Sequence, residues 1–552
     1  MTVVDYKTVI ENKQASNFQK IPVEWRLEKI PSPEEQKEVA PFIEPLLSDK
    51  ELWITNVSAI ELLENLKAGK ISALEVTQAF CHRSALVHQL TDCLIEIFYD
   101  QALERAKELD SYFAKTAKLV GPLHGIPISL KDQFNLKGIT TSIGFTAPHI
   151  SKELENIVGQ KETDQESYLV QILHDAGAVF YVKTTVPMAM FGNETSSNLS
   201  TTTHPFDRRK TPGGSSGGEA ALLSGKGSVI GLGTDIGGSI RGPCVQCGLY
   251  GMRGSSNRYP YLGISNSYPH QTCVPSVTGP MCRYLEDLEL VSKVIIDAEP
   301  WLVDAKVPPI PWKESVELDT VNVGIMVWDK QIKPHPPILR ALKETETNLK
   351  KAGIDTLEVE PPVSHLEICD FLTDLYTCDD FAEVKKYAAL SGEPLSDLIQ
   401  RTFKLNGHIA TLEDTFNASA QKYNYQQIYD KFWNSTAKLT KNGKPLDCII
   451  MPGWASTSWK SGENMKIANV YTRFLNVLDY SVLTIPITTV NESDDPFERT
   501  DFSGEADKVC WEYYNKDFYL GMPVVLQLVC RRYEEEKCIA LAKKLLPIIR
   551  NT

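Results

Sequence analysis

The stretch that decides the fold runs from Thr211 to Gly251 and reads TPGGSSGGEAALLSGKGSVIGLGTDIGGSIRGPCVQCGLYG. Glycine is dense in it, and three serines stand directly beside pairs of glycines. Because glycine has no Cβ, such a loop can bring its backbone N–H groups and small hydroxyls close to a reacting atom. The stretch therefore predicts a site where hydroxyl groups take part in chemistry.

Two parts of this stretch carry the signal, Gly213 to Gly218 and Gly233 to Arg241. The segment between them is rich in alanine and leucine and predicts a helix. In the second part, the N–H groups of Asp235-Ile236-Gly237-Gly238-Ser239 could form a nest for a developing oxyanion beside a nucleophilic serine. No histidine lies between His204 and His270, so a local pairing of serine with histidine is not evident.

The run GGSSGGEAALLSGKGSVIGLGTDIGGSIRGP, which begins at Gly213, resembles the signature of the amidase signature family at nearly every position. That family uses a Ser-Ser-Lys catalytic triad. The resemblance implies that Ser239, in GGSIR, is the nucleophile and that Ser215, whose preceding peptide bond is typically cis in the family, is the bridging serine. It also implies that Lys131, in the similar upstream run GPLHGIPISLKDQFN, is the base.

The resemblance implies further residues around the triad. The backbone donors expected for the oxyanion are Ile236, Gly237, Gly238 and Ser239. The supporting residues expected are Ser216, Thr234, Asp235 and Arg241. The residues expected to line the substrate cleft are Met190, Asn193 and Thr195. Two simpler interpretations stay open: the aspartate and arginine could be an ion pair that braces the loop, and the asparagine and threonine could be turn residues.

The chemistry of Lys131 can also be argued without the family. It ends a short apolar run, Ile126 to Leu130, that predicts a buried strand. A lysine held in such surroundings can lose its proton, and neutrality at pH 7 requires a pKa lowered by about 3 units. The alternative for an isolated lysine is that its stem lies on an apolar surface while the ammonium group reaches solvent.

Length and composition describe one large globular chain. It has 552 residues, 42% of them hydrophobic, and a net charge of −14, which disfavours nucleic acid as a partner. No signal-like or membrane-spanning run is evident, so a cytoplasmic protein is expected. Twelve scattered cysteines predict free thiols, because the only CxxC pair, Cys244 and Cys247, has no second half with zinc spacing. No metal or cofactor is expected.

The order of predicted elements indicates an α/β fold. Residues 1–54 are polar and rich in proline and predict an arm on the surface, and residues 55–552 predict one large domain. A helical layer is expected over Ser58 to Asp110, and a first strand over Gly121 to Leu130. Helices and short apolar runs then alternate, which favours a central twisted mixed β-sheet covered on both faces by helices.

Three other functional motifs resemble parts of this stretch. Gly213 to Gly217 formally fits the GxSxG elbow of a histidine-dependent α/β-hydrolase esterase, although no strand is expected before it. The later histidines that could serve as its base are His270, His335, His365 and His408. A phosphate-binding loop fails, because Ala220 stands where GxxxxGK[ST] requires glycine. A catalytic subunit of a tRNA-dependent amidotransferase shares the signature and remains the main alternative.

The preferred hypothesis is a stand-alone amide hydrolase. Its expected substrates are small carboxylic amides, and carbamates such as urethane are included because the sequence looks most like fungal acetamidase-type enzymes. A homodimer is expected from the same resemblance.

Overall fold

The computed structural model describes residues 5–551 except 152, 155–165, 269–270, 404, 406 and 464–468. Its core is an eleven-stranded sheet with the order β1-β3-β2-β4-β6-β5-β10-β11-β9-β7-β8. The strands are β1 (Leu94–Ile97), β2 (Pro127–Lys131), β3 (Val179–Thr184), β4 (Ile230–Asp235), β5 (Tyr250–Arg253), β6 (Val277–Cys282), β7 (Asn322–Ile325), β8 (Asp355–Glu358), β9 (Cys448–Pro452), β10 (Ser481–Thr489) and β11 (Pro523–Cys530).

Nineteen α-helices lie in the described part of the chain. They are α1 (Tyr6–Lys20), α2 (Ala40–Ile43), α3 (Asp49–Asn56), α4 (Ala59–Lys67), α5 (Ala73–Thr91), α6 (Tyr99–Thr116), α7 (Tyr168–Asp175), α8 (Gly217–Ser224), α9 (Arg241–Cys247), α10 (Leu285–Asp297), α11 (Pro336–Lys351), α12 (His365–Tyr376), α13 (Ala382–Ser391), α14 (Asp397–Thr402), α15 (Leu412–Ser435), α16 (Val470–Leu478), α17 (Glu505–Glu512), α18 (Lys516–Tyr519) and α19 (Glu535–Arg550).

The sheet is mixed, as the sequence predicted. Strand β2 pairs in parallel with β3 and β4, and β7 pairs in parallel with β8 and β9, whereas the other pairs are antiparallel. Every residue of β2, β4 and β11 is buried, so these strands are covered on both faces. Helices such as α8, α9, α11 and α19 pack against them.

The parallel pairing of β2 with β4 positions the site. Lys131 is the last residue of β2, and Asp235 is the last residue of β4. Because the carboxyl ends of parallel strands meet at one edge of a sheet, the predicted lysine and the predicted oxyanion loop emerge side by side. The two predicted serines each lie just before a helix, Ser215 before α8 and Ser239 before α9.

Two expectations for the N-terminal half need correction. The helical layer over 58–110 is interrupted by the edge strand β1, and the strand expected over 121–130 begins only at Pro127. Residues Gly121 to Ile126 instead form tight turns that carry the chain to the sheet. Four residues, Leu-Ile-Glu-Ile, are too few to show a strand period inside a helical neighbourhood.

The N-terminal segment is anchored to that edge strand. Helix α1 donates from Asn17 Nδ2 to the carbonyl of Ile95 at 2.9 Å, and Lys13 forms an ion pair with Glu96 at 2.5 Å. The segment thus lies on the sheet edge, and the boundary after residue 54 stays a prediction. All twelve cysteines are free. Within the described residues, no helix is long and apolar enough to cross a membrane.

Candidate active site

A buried lysine lies in contact with two hydroxyls. Lys131 Nζ is 2.8 Å from Ser215 Oγ and 2.8 Å from Thr234 Oγ1, and all three residues are buried. The peptide bond between Gly214 and Ser215 is cis. The structure thus brings together the lysine and the first of the two predicted serines.

A chain of hydrogen bonds orients this contact. The Thr234 hydroxyl donates to Gln133 Oε1 at 2.7 Å, and Gln133 Nε2 donates to the Tyr261 hydroxyl at 2.6 Å. Since the threonine proton points to the glutamine, Thr234 offers Lys131 only a lone pair and accepts an N–H from it. A neutral Lys131 amine that donates one N–H to Thr234 still has a lone pair that can accept from the Ser215 hydroxyl.

The electrostatic surroundings favour that neutral amine. Burial lowers the pKa of Lys131 to about 7, against the opposing attraction of the Asp235 and Glu219 carboxylates. Glu219 is itself buried and accepts from Ser129 and from Thr184 Oγ1, the latter at 2.9 Å. Burial raises the pKa of Glu219 to about 8, which weakens the attraction of its carboxylate for a Lys131 ammonium near neutral pH.

The loop that carries Ser239 is held by a buried ion pair. Asp235 accepts from Arg241 Nε at 3.1 Å and from its NH2 at 3.0 Å, and Asn476 Nδ2 donates to the same carboxylate at 2.8 Å. Burial alone would raise the pKa of Asp235, but the Arg241 guanidinium holds it well below its usual range. The two interpretations of this pair therefore coincide, because the ion pair that braces the loop also fixes the segment that carries Ser239.

One predicted oxyanion donor needs correction. The Gly238 N–H donates to Asp235 Oδ1 at 2.8 Å, so it is already engaged. Gly238 has a φ of +121°, and a Cβ there would lie 2.4 Å from Thr472 Oγ1, so its role is to let the loop turn. No partner for the N–H groups of Ile236, Gly237 and Ser239 is found among the described residues, and these three remain the candidate donors.

The other predicted residues divide between support and cleft. The Ser216 N–H donates to the Ser239 carbonyl at 3.1 Å and ties the two loops together. Met190 and Asn193 line the cavity in front of Ser239. Thr195 does not: it is buried, and its hydroxyl donates to the Gly213 carbonyl at 2.8 Å, so it braces the loop as a turn residue would.

Two cavities flank Ser239, which is partly exposed. The larger has a volume of about 300 Å³ and mostly apolar walls, including Phe191, Leu366 and Phe403. The smaller has about 30 Å³ and is lined by Ser215 and Gln133 as well as Ser239. The second therefore has about a tenth of the volume of the first.

Several residues around these cavities escaped the sequence analysis. The Tyr376 hydroxyl donates to the Ile236 carbonyl at 3.0 Å, and the Thr472 hydroxyl donates to the Gly237 carbonyl at 2.9 Å. Both come from segments without a recognisable motif. Gln133, by contrast, lies two residues after Lys131, just beyond the end of β2. This short spacing could have indicated that its side chain lies near the lysine.

The histidine-based alternative does not fit this geometry. No strand precedes Ser215, which is buried against a lysine. His335 Nε2 donates to the Cys510 carbonyl at 2.8 Å, His365 stacks on Phe474, and His408 is exposed. His270 lies outside the described residues. No described histidine lines either cavity beside Ser239.

The fold and the buried lysine beside a serine-bearing glycine loop are those of a hydrolase. A family model described as Amidase matches residues 75–539. Acetamidase of Emericella nidulans is 37% identical over 99% of this chain and 98% of its own, and Acetamidase of Aspergillus oryzae is 35% identical over 98% of both. The solved structure of a fatty acid amide hydrolase has a TM-score of 0.90 at 30% identity and covers 98% of this chain and 95% of its own.

The chain therefore belongs to the amidase family and is an enzyme that hydrolyses carbon–nitrogen bonds. The predicted family and fold class are confirmed. The assignment of individual residues to roles in the reaction stays a prediction.

The buried pair of Asp235 and Arg241 gives a prediction on stability. Asp235→Asn leaves the buried Arg241 guanidinium without its counter-charge, and we expect a loss of about 3–5 kcal/mol in the free energy of unfolding. Thermal unfolding followed by circular dichroism measures this. Asp479→Asn is the matched control, because Asp479 is buried and pairs with Arg253 at 2.9 Å outside both cavities. Only Asp235→Asn should also lower kcat/KM at a temperature where both variants are folded.

Proposed function

We propose that this enzyme hydrolyses small primary carboxylic amides to the acid and ammonia through an acyl-enzyme on Ser239. The observation that carries the proposal is the buried contact of Lys131 Nζ with Ser215 Oγ, in a cavity wall that Ser215 shares with Ser239. A neutral amine in that position can act as a general base at pH 7, since its pKa lies near the working pH.

Acylation begins with the neutral Lys131 amine taking the proton of Ser215 while Ser215 takes the proton of Ser239. Ser239 Oγ then bonds to the carbonyl carbon, and the N–H groups of Ile236, Gly237 and Ser239 donate to the oxyanion. As the C–N bond breaks, Ser215 gives its proton to the departing nitrogen and regains one from the Lys131 ammonium. Ammonia leaves, and the acyl group remains on Ser239 as an ester.

Deacylation repeats the relay with water. A water molecule in the place vacated by ammonia loses its proton to Ser215, which again passes a proton to Lys131. The hydroxide oxygen bonds to the ester carbonyl, and the Ser239 oxygen leaves with the proton returned by Ser215. The acid is released, and all three side chains regain their starting protonation.

Cavity size supports primary amides. Ser215 delivers the proton to the leaving nitrogen and lines only the smaller cavity, so the leaving group belongs there. Its volume of about 30 Å³ suits ammonia. The acyl group then occupies the larger cavity, whose volume of about 300 Å³ admits more than an acetyl group.

We therefore expect N-alkyl amides to be poor substrates. Adding one N-methyl group to propionamide or butyramide should lower kcat/KM by about 10–200-fold or more, the range that one methylene is worth in a close-fitting pocket. Ammonia or methylamine release, measured with equal concentrations of each pair, gives the ratio. Equal rates on primary and N-methyl amides would contradict the assignment of the small cavity to the leaving group.

Three further points belong to the proposal. The relatives named Acetamidase support short acyl groups, and a carbamate such as urethane also releases ammonia and presents an acyl part that the larger cavity can hold. Twelve free cysteines support a reducing, cytoplasmic location. A homodimer is proposed from the family resemblance, and light scattering of the purified enzyme tests it.

A further inference from the structure

One arginine lines the larger cavity without a carboxylate partner among the described residues. Arg473 lies on α16, is partly buried and lines the cavity that opens onto Ser239. Its guanidinium carbon lies 5.2 Å from the centre of the Tyr376 ring. No ion pair of Arg473 is found among the described residues, and the undescribed segment 464–468 near it in sequence, Asn-Met-Lys-Ile-Ala, contains no acidic side chain.

Most of the buried arginines among the described residues have an ionic partner. Five pair with a carboxylate, Arg83 with Glu44, Arg241 with Asp235, Arg253 with Asp479, Arg258 with Glu535 and Arg499 with Asp507, whereas Arg208 donates to main-chain carbonyls. Burying a charge is costly unless it is paired. The contact with the Tyr376 ring compensates Arg473 in part. Arg473 also forms a side-chain hydrogen bond with Tyr376, and its side chain lines the cavity that opens onto Ser239.

The position of Arg473 is close to the reacting group. A Cβ on Gly237 would lie 3.7 Å from Arg473 Cγ and 2.3 Å from the Tyr376 hydroxyl. The stem of Arg473 therefore passes beside the loop whose N–H groups face the oxyanion. The neighbouring residue on α16, Thr472, donates to the Gly237 carbonyl at 2.9 Å, which fixes the helix against that loop.

We infer that Arg473 is a specificity-determining residue that binds a carboxylate on the acyl group, and that monoamides of short dicarboxylic acids are a preferred substrate class. The hydrolysis of these monoamides rests on the proposed function, whereas the binding of the carboxylate by Arg473 does not depend on it. A planar guanidinium offers two parallel N–H donors that match a carboxylate. The apolar walls formed by residues such as Phe191, Leu366 and Val470 suit the methylene groups between the carboxylate and the amide.

One acidic residue shares this cavity. Asp370, on α12, lines it but is exposed to solvent and lies beyond ion-pair distance from Arg473. Solvent screens a charge at that edge more strongly than one beside the glycine loop. The electrostatic preference for an anion is therefore strongest next to Arg473.

The test compares charged and neutral amides of similar shape. Succinamate and glutaramate are paired with butyramide and valeramide, and kcat/KM is measured for the parent enzyme and for Arg473→Met. We expect the parent to favour the charged member of each pair. We expect Arg473→Met to lose at least about tenfold on the charged amides, a change of about 1.4 kcal/mol, and less than threefold on the neutral ones.

Two matched variants separate recognition from general charge effects. Arg401→Met removes the same charge from an exposed arginine that bonds to the Gly462 carbonyl and does not line the cavity, so it should leave both ratios unchanged. Arg473→Lys keeps the charge without the planar fork and should recover only part of the preference. Labelling of Ser239 by a fluorophosphonate checks that each variant keeps an accessible nucleophile.

A binding measurement makes the outcome independent of turnover. Succinate is titrated into the parent enzyme and into Arg473→Met by calorimetry. Binding that Arg473→Met weakens at least tenfold supports the inference even if no amide were hydrolysed, a result that would reject the proposed function alone. Absence of succinate binding by a parent enzyme that cleaves butyramide overturns the inference, and so does an equal loss on charged and neutral amides.

Discussion

Replacing Ser239 with alanine is expected to abolish turnover, with a loss of up to about a millionfold in kcat, as in serine hydrolases that lack their nucleophile. The reason is geometric. Ser239 lies on the wall of both cavities, while Ser215 is buried against Lys131 and lines only the smaller one. Of these two serines, only Ser239 can therefore contact the carbonyl carbon of a substrate whose acyl group lies in the larger cavity.

The residual rate and the site of labelling decide between the two serines. Ammonia release from propionamide at high enzyme concentration measures the rate, and mass spectrometry locates the adduct after reaction of the parent enzyme with a fluorophosphonate. Ser216→Ala is the matched control, because its hydroxyl has no partner among the described residues and its N–H holds the loop in any case. We expect it to stay within about tenfold of the parent. An adduct on Ser215 would contradict the assignment.

The fold was predictable where the sequence shows a continuous or periodic run of apolar residues, or a signal for the start of a helix. Helix α5 begins where Ser72 and Glu75 form a capping box, and both of its hydrogen bonds are present. Strand β2 was predicted from the continuous apolar run Ile126 to Leu130, since both of its faces are covered. The edge strand β1 was missed because it is four residues long and lies between two long helices.

The glycine loop was predictable because its function depends on local backbone geometry. Gly238 turns with a positive φ, and Asp235 caps the N–H groups that follow it, at 2.8 Å from Gly238 and 3.1 Å from Ile240. These requirements appear within seven residues of sequence. The resemblance could not show that the Gly238 N–H already donates a hydrogen bond to Asp235.

The walls of the cavities were not predictable from the motifs. Tyr376, Thr472 and Arg473 reach the site from α12 and α16, which follow the glycine loop by well over a hundred residues. Their contacts depend on how helices pack across the sheet, and neither helix carries a pattern other than amphipathic spacing. Substrate preference therefore lies in the part of the site that sequence patterns describe least.

Glu219 shows that some contacts could not be predicted even within the glycine-rich stretch. It lies in the run quoted first, but its position in the sequence gave no sign that its carboxyl is buried between Ser129 and Thr184. Burial raises its pKa to about 8. A charged carboxylate there would favour the ammonium form of Lys131, so the raised pKa of Glu219 favours the neutral amine of Lys131.

Lys131→Arg is expected to be nearly inactive although it keeps a positive charge. Arginine stays protonated at any pH the enzyme survives and cannot take the proton of Ser215. Lys131→Ala should also lose most turnover, because no described side chain other than Lys131 offers Ser215 a base. Lys183→Arg is the matched control: Lys183 is equally buried on the next strand but pairs with Asp132 at 2.8 Å and lines neither cavity.

The pH dependence of the parent enzyme tests the same base. Since burial lowers the pKa of Lys131 to about 7, the amine is protonated as pH falls through that value, and activity must fall with it. Well below pH 7 the loss should approach tenfold per pH unit, or about a hundredfold at pH 5. Hydrolysis of propionamide from about pH 5 to 10, with circular dichroism at each pH, separates this from unfolding. A Lys131→Arg enzyme within tenfold of the parent, a loss of only about 1.4 kcal/mol in transition-state stabilisation, would remove the lysine from the reaction.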